Sequence, residues 1–220
     1  MITKKTAVDK FHYNYIAIEG NIGAGKTSLA TRLSAETGAR LILEQFEDNS
    51  FLPKFYEDQE RYAFPLELSF LADRFQQLKT GVGSHDLFSP FTVADYFIHK
   101  SLIFARKTLN NDEYMLYSKL FSIIDSVLPK PELLIYLYSS VDRLQTNIRK
   151  RGRSYEQKIA PEYLQKIQDG YLDYIRQQKE MRIVIIDTNL IDFVENPGDY
   201  PKLKEIILSE YPVGIHRITP

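Results

Sequence analysis

The sequence predicts an α/β fold of three layers, with a parallel five-stranded sheet between two layers of helices. Short apolar runs that are typical of buried strands recur along the chain, separated by longer stretches with helical periodicity. Strands that alternate with helices pair in parallel, and such a sheet binds ligands at the carboxyl ends of its strands. A glycine-rich stretch directly behind the first run supports this arrangement. The five runs are residues 15–18, 41–43, 91–94, 133–137 and 183–186.

The remaining stretches predict the helices and the domain organisation. A chain of 220 residues, 44% of them hydrophobic, can bury one full core, which predicts a single domain over residues 13–210. Residues 1–12 lack periodicity and are expected to form a flexible arm, and residues 211–220 a C-terminal tail. Pro65 is expected to kink the longest helix. The predicted helices cover residues 27–36, 51–79, 95–109, 112–128, 141–149, 161–179 and 199–210.

Composition argues against several classes of protein. The net charge is −1, which argues against bulk electrostatic binding of a nucleic-acid polymer. The chain has no cysteine, so a disulfide framework, a thiol nucleophile and a cysteine-bound metal are excluded. No apolar run approaches the roughly 20 residues that span a bilayer, and residues 1–10 lack the apolar segment of a signal peptide. We therefore expect a cytoplasmic protein without a membrane partner.

A phosphate-binding loop (P-loop) follows the first predicted strand. Its spacing is glycine, four residues, then Gly-Lys-Thr, and the glycines let successive backbone N–H groups face phosphate oxygens. Lys26 is expected to reach the terminal phosphates of a nucleotide, and the Thr27 hydroxyl to hold Mg²⁺. An ordinary glycine turn is the alternative, but the strand before the loop and the helix behind it favour phosphate binding. The loop comprises Gly20, Asn21, Ile22, Gly23, Ala24, Gly25, Lys26 and Thr27, with Ser28 next in the chain.

The residue that follows the second predicted strand indicates which kind of group accepts the phosphoryl group. A P-loop serves GTPases, ATP-driven motors and small-molecule kinases alike. Glu44 follows residues 41–43 immediately and would face a terminal phosphate held by the loop. A carboxylate repels an acceptor that already carries a phosphate, but it suits an uncharged hydroxyl, whose proton it can accept. The alternative is that Glu44 is one more solvated acid.

Two further groups lie where phosphate chemistry needs them. Asp95 ends the third predicted strand, where an acid can hold Mg²⁺ directly or through water, or can cap the helix behind it. A later helix end carries Arg149, Arg151 and Arg153 around a glycine. We expect residues 149–157 to form a mobile lid whose guanidinium groups neutralise charge on the transferred phosphoryl group; the alternative is a solvated basic helix end.

Taken in the order in which they occur between about Tyr15 and Leu208, these motifs resemble those of the deoxyribonucleoside kinase family. Further matching stretches are Phe55-Tyr56-Glu57 with Glu60-Arg61-Tyr62, Arg151-Gly152-Arg153 with Glu156-Gln157, Asp187-Thr188-Asn189, and Asp192-Phe193. The resemblance implies transfer of the ATP γ-phosphoryl group to the 5′-hydroxyl of a deoxynucleoside, a thymidylate-kinase-like fold and a homodimer. It also implies Glu44 as the base, Tyr56 and Glu156 at the sugar 3′-hydroxyl, Arg151 and Arg153 in the lid, and Asp192 and Phe193 beside the adenine of ATP.

Two departures from the family pattern concern the acceptor site. Asp95 is followed by Tyr96 where many members have an arginine near the 5′-hydroxyl, so that role has no residue assigned to it. Glu67 stands where many members have a glutamine that recognises the base, and Lys100 where they have an aspartate. This set resembles the bacterial deoxyguanosine kinase branch.

Hydrogen-bond donors and acceptors predict the preferred base. An ionised Glu67 only accepts hydrogen bonds, and guanine alone among the natural bases offers two adjacent donors, N1–H and the 2-amino group. Lys100 or Arg74 would be available to the guanine O6. The alternatives are an ion pair between Glu67 and one of these cations, a protonated Glu67, or an alignment shifted by one helical turn. We expect deoxyguanosine to be preferred, deoxyadenosine to be next and pyrimidines to be poor.

Other classes of protein compete with this interpretation. A deoxynucleoside kinase with broad specificity, or one that prefers deoxyadenosine and deoxycytidine, stays open. A nucleoside monophosphate kinase would need arginines rather than Glu44 facing its acceptor. A GTP-binding switch protein would need an Asn-Lys-x-Asp stretch, which the sequence lacks. A nucleic-acid-binding ATPase is disfavoured by the balanced charge and the short chain.

Overall fold

A computed structural model describes residues 11–45, 49–82 and 89–220, and within them a sheet of six strands runs through the molecule. The strands are β1 (Tyr15–Gly20), β2 (Arg40–Ile42), β3 (Thr92–Ala94), β4 (Leu133–Tyr138), β5 (Arg182–Asp187) and β6 (Gly214–Ile218). Their order across the sheet is β2-β3-β1-β4-β5-β6, and every neighbouring pair is parallel.

Helices cover both faces of this sheet. They are α1 (Lys26–Thr37), α2 (Leu52–Glu57), α3 (Gln59–Gly81), α4 (Lys100–Thr108), α5 (Asn111–Asp125), α6 (Val141–Arg151), α7 (Pro161–Gln177) and α8 (Asp199–Leu208), with a 3₁₀ turn at Ser154–Glu156. Successive side chains of β1 point to opposite faces, so Ile16 and Ile18 enter the core beneath α1, α6 and α8, while Tyr15 and Ala17 enter the core beneath α3, α4, α5 and α7. The three-layer α/β prediction is confirmed.

The strand order creates the crevice in which a ligand can bind. β3 and β4 flank β1 on opposite sides, so the chain reverses its direction across the sheet at this point. The carboxyl ends of β1, β2 and β3 therefore meet at one edge. Gly20 ends β1, Glu44 follows β2, and Asp95 follows β3 at this edge.

The sheet has one strand more than the five predicted. Residues 214–218 fall in the predicted C-terminal tail, but β6 pairs with β5 along its whole length. Its side chains alternate between half-buried and exposed, which suits an edge strand with one face toward solvent. No continuous apolar run marks such a strand in the sequence.

Two predicted helix boundaries were wrong. The helix expected over residues 51–79 is divided at Asp58, whose side chain accepts a hydrogen bond from the Arg61 N–H (3.2 Å) and so caps α3. α3 then runs through Pro65, so the break falls at the cap and not at the proline. α4 begins at Lys100 rather than at Asp95, which means that Asp95 does not cap a helix.

The described N-terminal residues belong to the domain. Residues 1–10 of the predicted arm lie outside the described residues, but Phe11 packs on the core with its ring 4.9 Å from that of Phe91. The domain thus begins before residue 13.

None of the helices described is long and apolar enough to cross a membrane.

Candidate active site

The P-loop is shaped by glycines that another residue could not replace. Gly23 and Gly25 have positive φ angles of 84° and 88°. A Cβ on Gly23 would lie 2.8 Å from the Leu144 carbonyl oxygen, and one on Gly25 would lie 2.6 Å from the Phe193 ring. The loop therefore packs directly against α6 and the 192–193 loop, and it leads into the N-terminus of α1, where a phosphate is favoured.

Lys26 is directed into its own loop. Its Nζ donates hydrogen bonds to the carbonyl oxygens of Gly20 (2.9 Å) and Asn21 (3.1 Å). Burial and the nearby Lys100 ammonium lower the Lys26 pKa to about 8. A bound polyphosphate would supply negative charge to this lysine, as the sequence interpretation requires.

An open cleft of about 1200 Å³ lies over the P-loop on the side of α6. Ser28, Asn147, Arg151, Asp192 and Phe193 line it. Asn147 donates to the Gly23 carbonyl oxygen (2.8 Å), which ties α6 to the loop. The placement of Asp192 and Phe193 agrees with a nucleotide-binding role.

Two residues of α6 differ from the sequence expectation at this cleft. Arg149 was expected to bind nucleotide, but it is exposed, donates to Thr146 Oγ1 (3.3 Å) and does not line the cleft. Arg143 was not singled out, yet it lines the cleft and donates to Asp192 Oδ2 (3.2 Å) and the Ile191 carbonyl oxygen (3.3 Å). Both lie on one helix, and only the folded helix decides which side faces the cleft.

A second cavity opens on the other side of Lys26 and contains Glu44; we call it the acceptor cavity, because Glu44 is the residue expected to bind the acceptor. Arg74 donates from Nε (2.8 Å) and Nη2 (2.7 Å) to Glu44 Oε1, and Lys100 Nζ donates to Oε2 (2.6 Å). Burial alone would raise the Glu44 pKa, but the charges of Lys100 and Arg74 outweigh it and hold the pKa well below its usual range. Glu44 is therefore ionised, and the interpretation of it as a solvated acid is excluded.

Asp95 connects the P-loop to Glu44. Its Oδ2 accepts a hydrogen bond from the Thr27 hydroxyl (2.5 Å), and its Oδ1 accepts one from the Glu44 backbone N–H (2.7 Å). Two hard oxygen ligands thus lie side by side next to the phosphate site. The described residues contain no cluster of three or more His, Cys, Asp or Glu side chains that could hold a metal. This donor set fits Mg²⁺, which takes one or two protein ligands and completes its shell with phosphate and water.

Glu67 lies in the wall of the acceptor cavity. It is 2% exposed, and its Oε1 accepts a hydrogen bond from Thr108 Oγ1 (3.1 Å). Burial raises its pKa to about 7, in spite of the positive charge of Arg74. The structure does not pair Glu67 with Arg74 or Lys100, because Glu44 engages both cations. The same finding corrects the expectation that one of them is available to a guanine O6.

The two arginines of the predicted lid, Arg151 and Arg153, share one carboxylate in the wall of the cavity. Glu156 is 6% exposed and accepts hydrogen bonds from Arg151 and from Arg153 Nη1 (3.4 Å). The Tyr56 ring stacks on that of Tyr155, with centroids 6.1 Å apart. Tyr56 and Glu156 both line the acceptor cavity, as expected of residues that contact a sugar.

Sequence reasoning missed a carboxylate immediately before the P-loop. Glu19 is 1% exposed and accepts hydrogen bonds from the Phe97 N–H (2.7 Å) and the Tyr171 hydroxyl (2.9 Å). Burial raises its pKa. Glu19 thus joins β1 to the turn before α4 and to α7. The sequence signal for a buried role was the position of Glu19 at the end of a predicted strand. A solvated acid can occupy the same position, so this signal did not single Glu19 out.

This glycine loop, the arginines at the end of α6 and the acid at a neighbouring strand end are typical of a P-loop phosphotransferase that acts on an uncharged hydroxyl. The sequence model of the deoxynucleoside kinase family matches residues 16–210. The chain belongs to the deoxynucleoside kinase family and is an ATP-dependent phosphotransferase.

Individual relatives agree with this assignment. The chain is 38% identical over 202 residues to deoxyguanosine kinase of Bacillus subtilis, with 88% of this chain and 98% of that protein aligned. It is 32% identical to deoxyadenosine kinase of Dictyostelium discoideum, over 90% of this chain and 79% of that protein. The solved structure of deoxyadenosine kinase from M. mycoides with bound dATP has a TM-score of 0.75 at 22% identity, covers 89% of this chain and 100% of that chain, and supports the fold.

Proposed function

We propose that this enzyme transfers the γ-phosphoryl group of ATP to the 5′-hydroxyl of a deoxynucleoside, and that deoxyguanosine is its preferred acceptor. The observation that carries the base preference is the buried Glu67 carboxylate in the wall of the acceptor cavity, unpaired with either nearby cation. Thr27 and Asp95 would hold the Mg²⁺ that accompanies ATP.

Glu44 positions the acceptor hydroxyl and accepts its proton. The bond between O5′ and the γ-phosphorus forms while the bond from that phosphorus to the bridging oxygen breaks, and the electron pair stays with ADP. The hydroxyl proton passes to a Glu44 oxygen. Because the Glu44 pKa is held low, this transfer comes late, when bond formation to phosphorus has already acidified the hydroxyl.

The base preference follows from what the Glu67 carboxylate can bind. When ionised, it accepts hydrogen bonds from both guanine donors, N1–H and the 2-amino group. Adenine would set its ring nitrogen against a carboxylate lone pair, a mismatch of about 1–3 kcal/mol or roughly ten- to a hundredfold in preference. Relatives named as deoxyguanosine kinases, at 38% identity in B. subtilis and 29% in Lactobacillus acidophilus, support this choice. The alternative is a deoxyadenosine or deoxycytidine preference, since relatives with those names also match.

Competition between deoxynucleosides tests the base preference. We expect kcat/KM for deoxyguanosine to exceed that for deoxyadenosine, with pyrimidines lower still. Glu67→Gln should shift preference towards deoxyadenosine or deoxycytidine, because a glutamine both donates and accepts. The matched control is Glu57→Gln, which removes an exposed carboxylate on α2 and should leave the ranking unchanged. A wild-type enzyme that prefers deoxyadenosine or deoxycytidine would contradict the proposal.

A homodimer is the assembly that the surface supports. Leu116, Leu120, Ile123 and Val127 recur at spacings of three and four residues along α5 and just beyond it, and all four are exposed, Ile123 at 68%. Such a stripe on one helix face suits a helix that packs against another helix.

We place the enzyme in the cytoplasm, in keeping with a chain without cysteine.

A further inference from the structure

We propose that Lys100 acts at the acceptor hydroxyl and not at the nucleobase: it leaves Glu44 as the hydroxyl proton moves to that carboxylate, and it brings its positive charge to the attacking oxygen and the transferred phosphoryl group. The inference rests on the proposed function, because it needs a hydroxyl acceptor in the Glu44 cavity. The proposed role of Lys100 is the one that the family resemblance gives to an arginine near the 5′-hydroxyl. This chain has Tyr96 at the position of that arginine.

Tyr96 itself cannot reach the acceptor. Its side chain is fully buried, and its hydroxyl donates to Gln77 Oε1 (2.9 Å) in the core beneath α3. The cations beside Glu44 come from two helices, Arg74 from α3 and Lys100 from the first residue of α4. Both bind Glu44 directly, so both are candidates for the positive charge at the reacting oxygen.

Arg74 is fixed in place. Two of its nitrogens bind Glu44 Oε1, and Nη1 donates to Ser101 Oγ (2.7 Å). Its guanidinium also lies over the Phe70 ring, 4.8 Å from the centroid, and the residue is 3% exposed. With three hydrogen bonds and a stacked ring, Arg74 orients Glu44 and has little freedom to do anything else.

Lys100 is held by fewer contacts, namely one hydrogen bond and the Phe104 ring, whose centroid lies 5.5 Å from its ammonium. Over the described part of the chain, Glu44 Oε2 is the one hydrogen-bond acceptor that its Nζ contacts, at 2.6 Å. An ammonium has three donors on a flexible stem, so two of them are available to other oxygens in the cavity. Its backbone is nevertheless well placed, because Glu19 accepts the Phe97 N–H in the turn that leads into α4.

The two carboxylate oxygens of Glu44 also differ in the number of hydrogen bonds that they accept. Oε1 accepts two hydrogen bonds from Arg74, whereas Oε2 accepts one from Lys100. An acceptor hydroxyl would therefore bind at Oε2 and meet the Lys100 ammonium there. When the hydroxyl proton moves to Oε2, Glu44 becomes neutral and its attraction for Lys100 disappears. The ammonium can then offset the negative charge on the phosphoryl oxygens.

The position of Lys100 relative to the phosphate site agrees with this role. Lys100 and Lys26 line the same cavity, so two positive charges lie between the P-loop and Glu44. Two like charges in one cavity repel each other until an anion binds between them. A phosphoryl group in transfer between the P-loop and Glu44 is such an anion.

Lys100→Met, with Lys100→Arg as the conservative variant, tests the proposal. We expect kcat of the Met variant to fall by about 10²–10³-fold, the typical effect of removing one donor to developing charge, and by a similar factor for deoxyguanosine, deoxyadenosine and deoxycytidine. KM for the nucleosides should change little, and Lys100→Arg should recover part of kcat. Glu67→Gln is the matched control, since it should alter the ranking of nucleosides and not the rate for all of them.

The split between kcat and KM separates this role from a merely structural one. A residue that only holds the cavity in shape would change the KM for the nucleosides when it is replaced, whereas a charge that acts at the reacting oxygen changes kcat. Because Arg74 still neutralises Glu44, the variant should fold; if it does not, Lys100→Gln carries the same comparison.

Three results would overturn the inference. One is a loss confined to deoxyguanosine, which would place Lys100 at the guanine O6. Another is a kcat within about threefold of wild type for all three nucleosides. The last is a Lys100→Arg variant that recovers none of the lost kcat. A wild-type enzyme that prefers deoxyadenosine would instead refute the proposed base preference and leave the uniform effect of Lys100 testable.

Discussion

At the scale of single residues, the acceptor cavity divides its charges unevenly between two carboxylates. Glu44 has both cations and stays ionised, whereas Glu67 has a hydroxyl partner, Thr108, and burial raises its pKa to about 7. A carboxyl group with this pKa changes its protonation state in the range of an ordinary assay. When protonated it donates one hydrogen bond and accepts another, as a glutamine does.

The preference between guanine and adenine should therefore depend on pH. Below pH 7 Glu67 is protonated and tolerates adenine, and above pH 7 it is ionised and favours guanine. Between about pH 6 and pH 8 the ionised fraction rises from roughly a tenth to nine tenths, so the ratio of kcat/KM for deoxyguanosine over deoxyadenosine should increase by about tenfold. Steady-state kinetics over this range measure it. Glu67→Gln should give a flat ratio, and an equal slope in that variant would assign the titration to another group.

Glu67 also links pH to stability, with a definite sign. Its pKa in the folded protein is raised above the unfolded value near 4.5, so the folded state binds more protons between about pH 4.5 and 7. Glu67 therefore lowers the free energy of unfolding as pH rises through this window. Glu67→Gln should stabilise the protein at pH 8 and have a smaller effect at pH 4. Urea denaturation at the two pH values measures this, and a larger gain at pH 4 would contradict the raised pKa.

At the scale of elements, the glycines of the P-loop and of the lid serve different purposes. Gly23 brings the loop against the backbone of α6, where a Cβ on this residue would lie only 2.8 Å from the Leu144 carbonyl oxygen. Gly152 has a similar φ, +76°, but a Cβ there would meet no atom within 4 Å. Gly23 is needed both for its left-handed backbone conformation and for the close approach to α6. Gly152 is needed for its left-handed conformation alone.

Alanine at these two positions should separate the effects. Gly152→Ala should cost about 1–2 kcal/mol of stability, the penalty of a left-handed conformation. Gly23→Ala carries the same penalty and also displaces α6 or the loop, so it should lose more stability and raise the KM for ATP. Urea denaturation and ATP titration measure the two quantities. Equal losses in both variants would mean that α6 yields to the new methyl group without cost.

At the scale of the whole molecule, one helix face is left exposed by the residues that the structure describes. The apolar stripe of α5 and the residues just beyond it lies on a different face of that helix from buried Tyr117 and Phe121, which pack on the core. A stripe of this kind is costly to leave in water. The proposed homodimer would bury it.

Sedimentation equilibrium should then give a mass twice that of the chain. Ile123→Glu should produce monomers, because a charge in a helix interface lacks a partner there. Val213→Glu, at an exposed apolar position outside the stripe, is the control and should leave the mass unchanged. A monomeric wild-type protein, or a dimer that Ile123→Glu does not affect, would exclude this face as the interface.

The sequence by itself determined the layers of the fold, the P-loop and the acids at the strand ends. Apolar runs mark strands that are buried on both faces, and parallel strands bring their carboxyl ends to one edge, so Lys26, Glu44 and Asp95 could be placed together in advance. The edge strand β6 was missed because its alternating, half-exposed pattern carries no such run. The cap at Asp58 was missed because local propensity did not distinguish it from the competing signal of Pro65.

Only the tertiary structure decided how the charges pair. Arg74 and Lys100 lie 30 and 56 residues from Glu44 along the chain, and both meet it through side chains from separate helices. Sequence reasoning assigned these cations to the base, since it could place them near the cavity but could not rank the carboxylates they would choose. That choice depends on distances of a few ångströms in a buried site, where the energy of an ion pair changes steeply with separation.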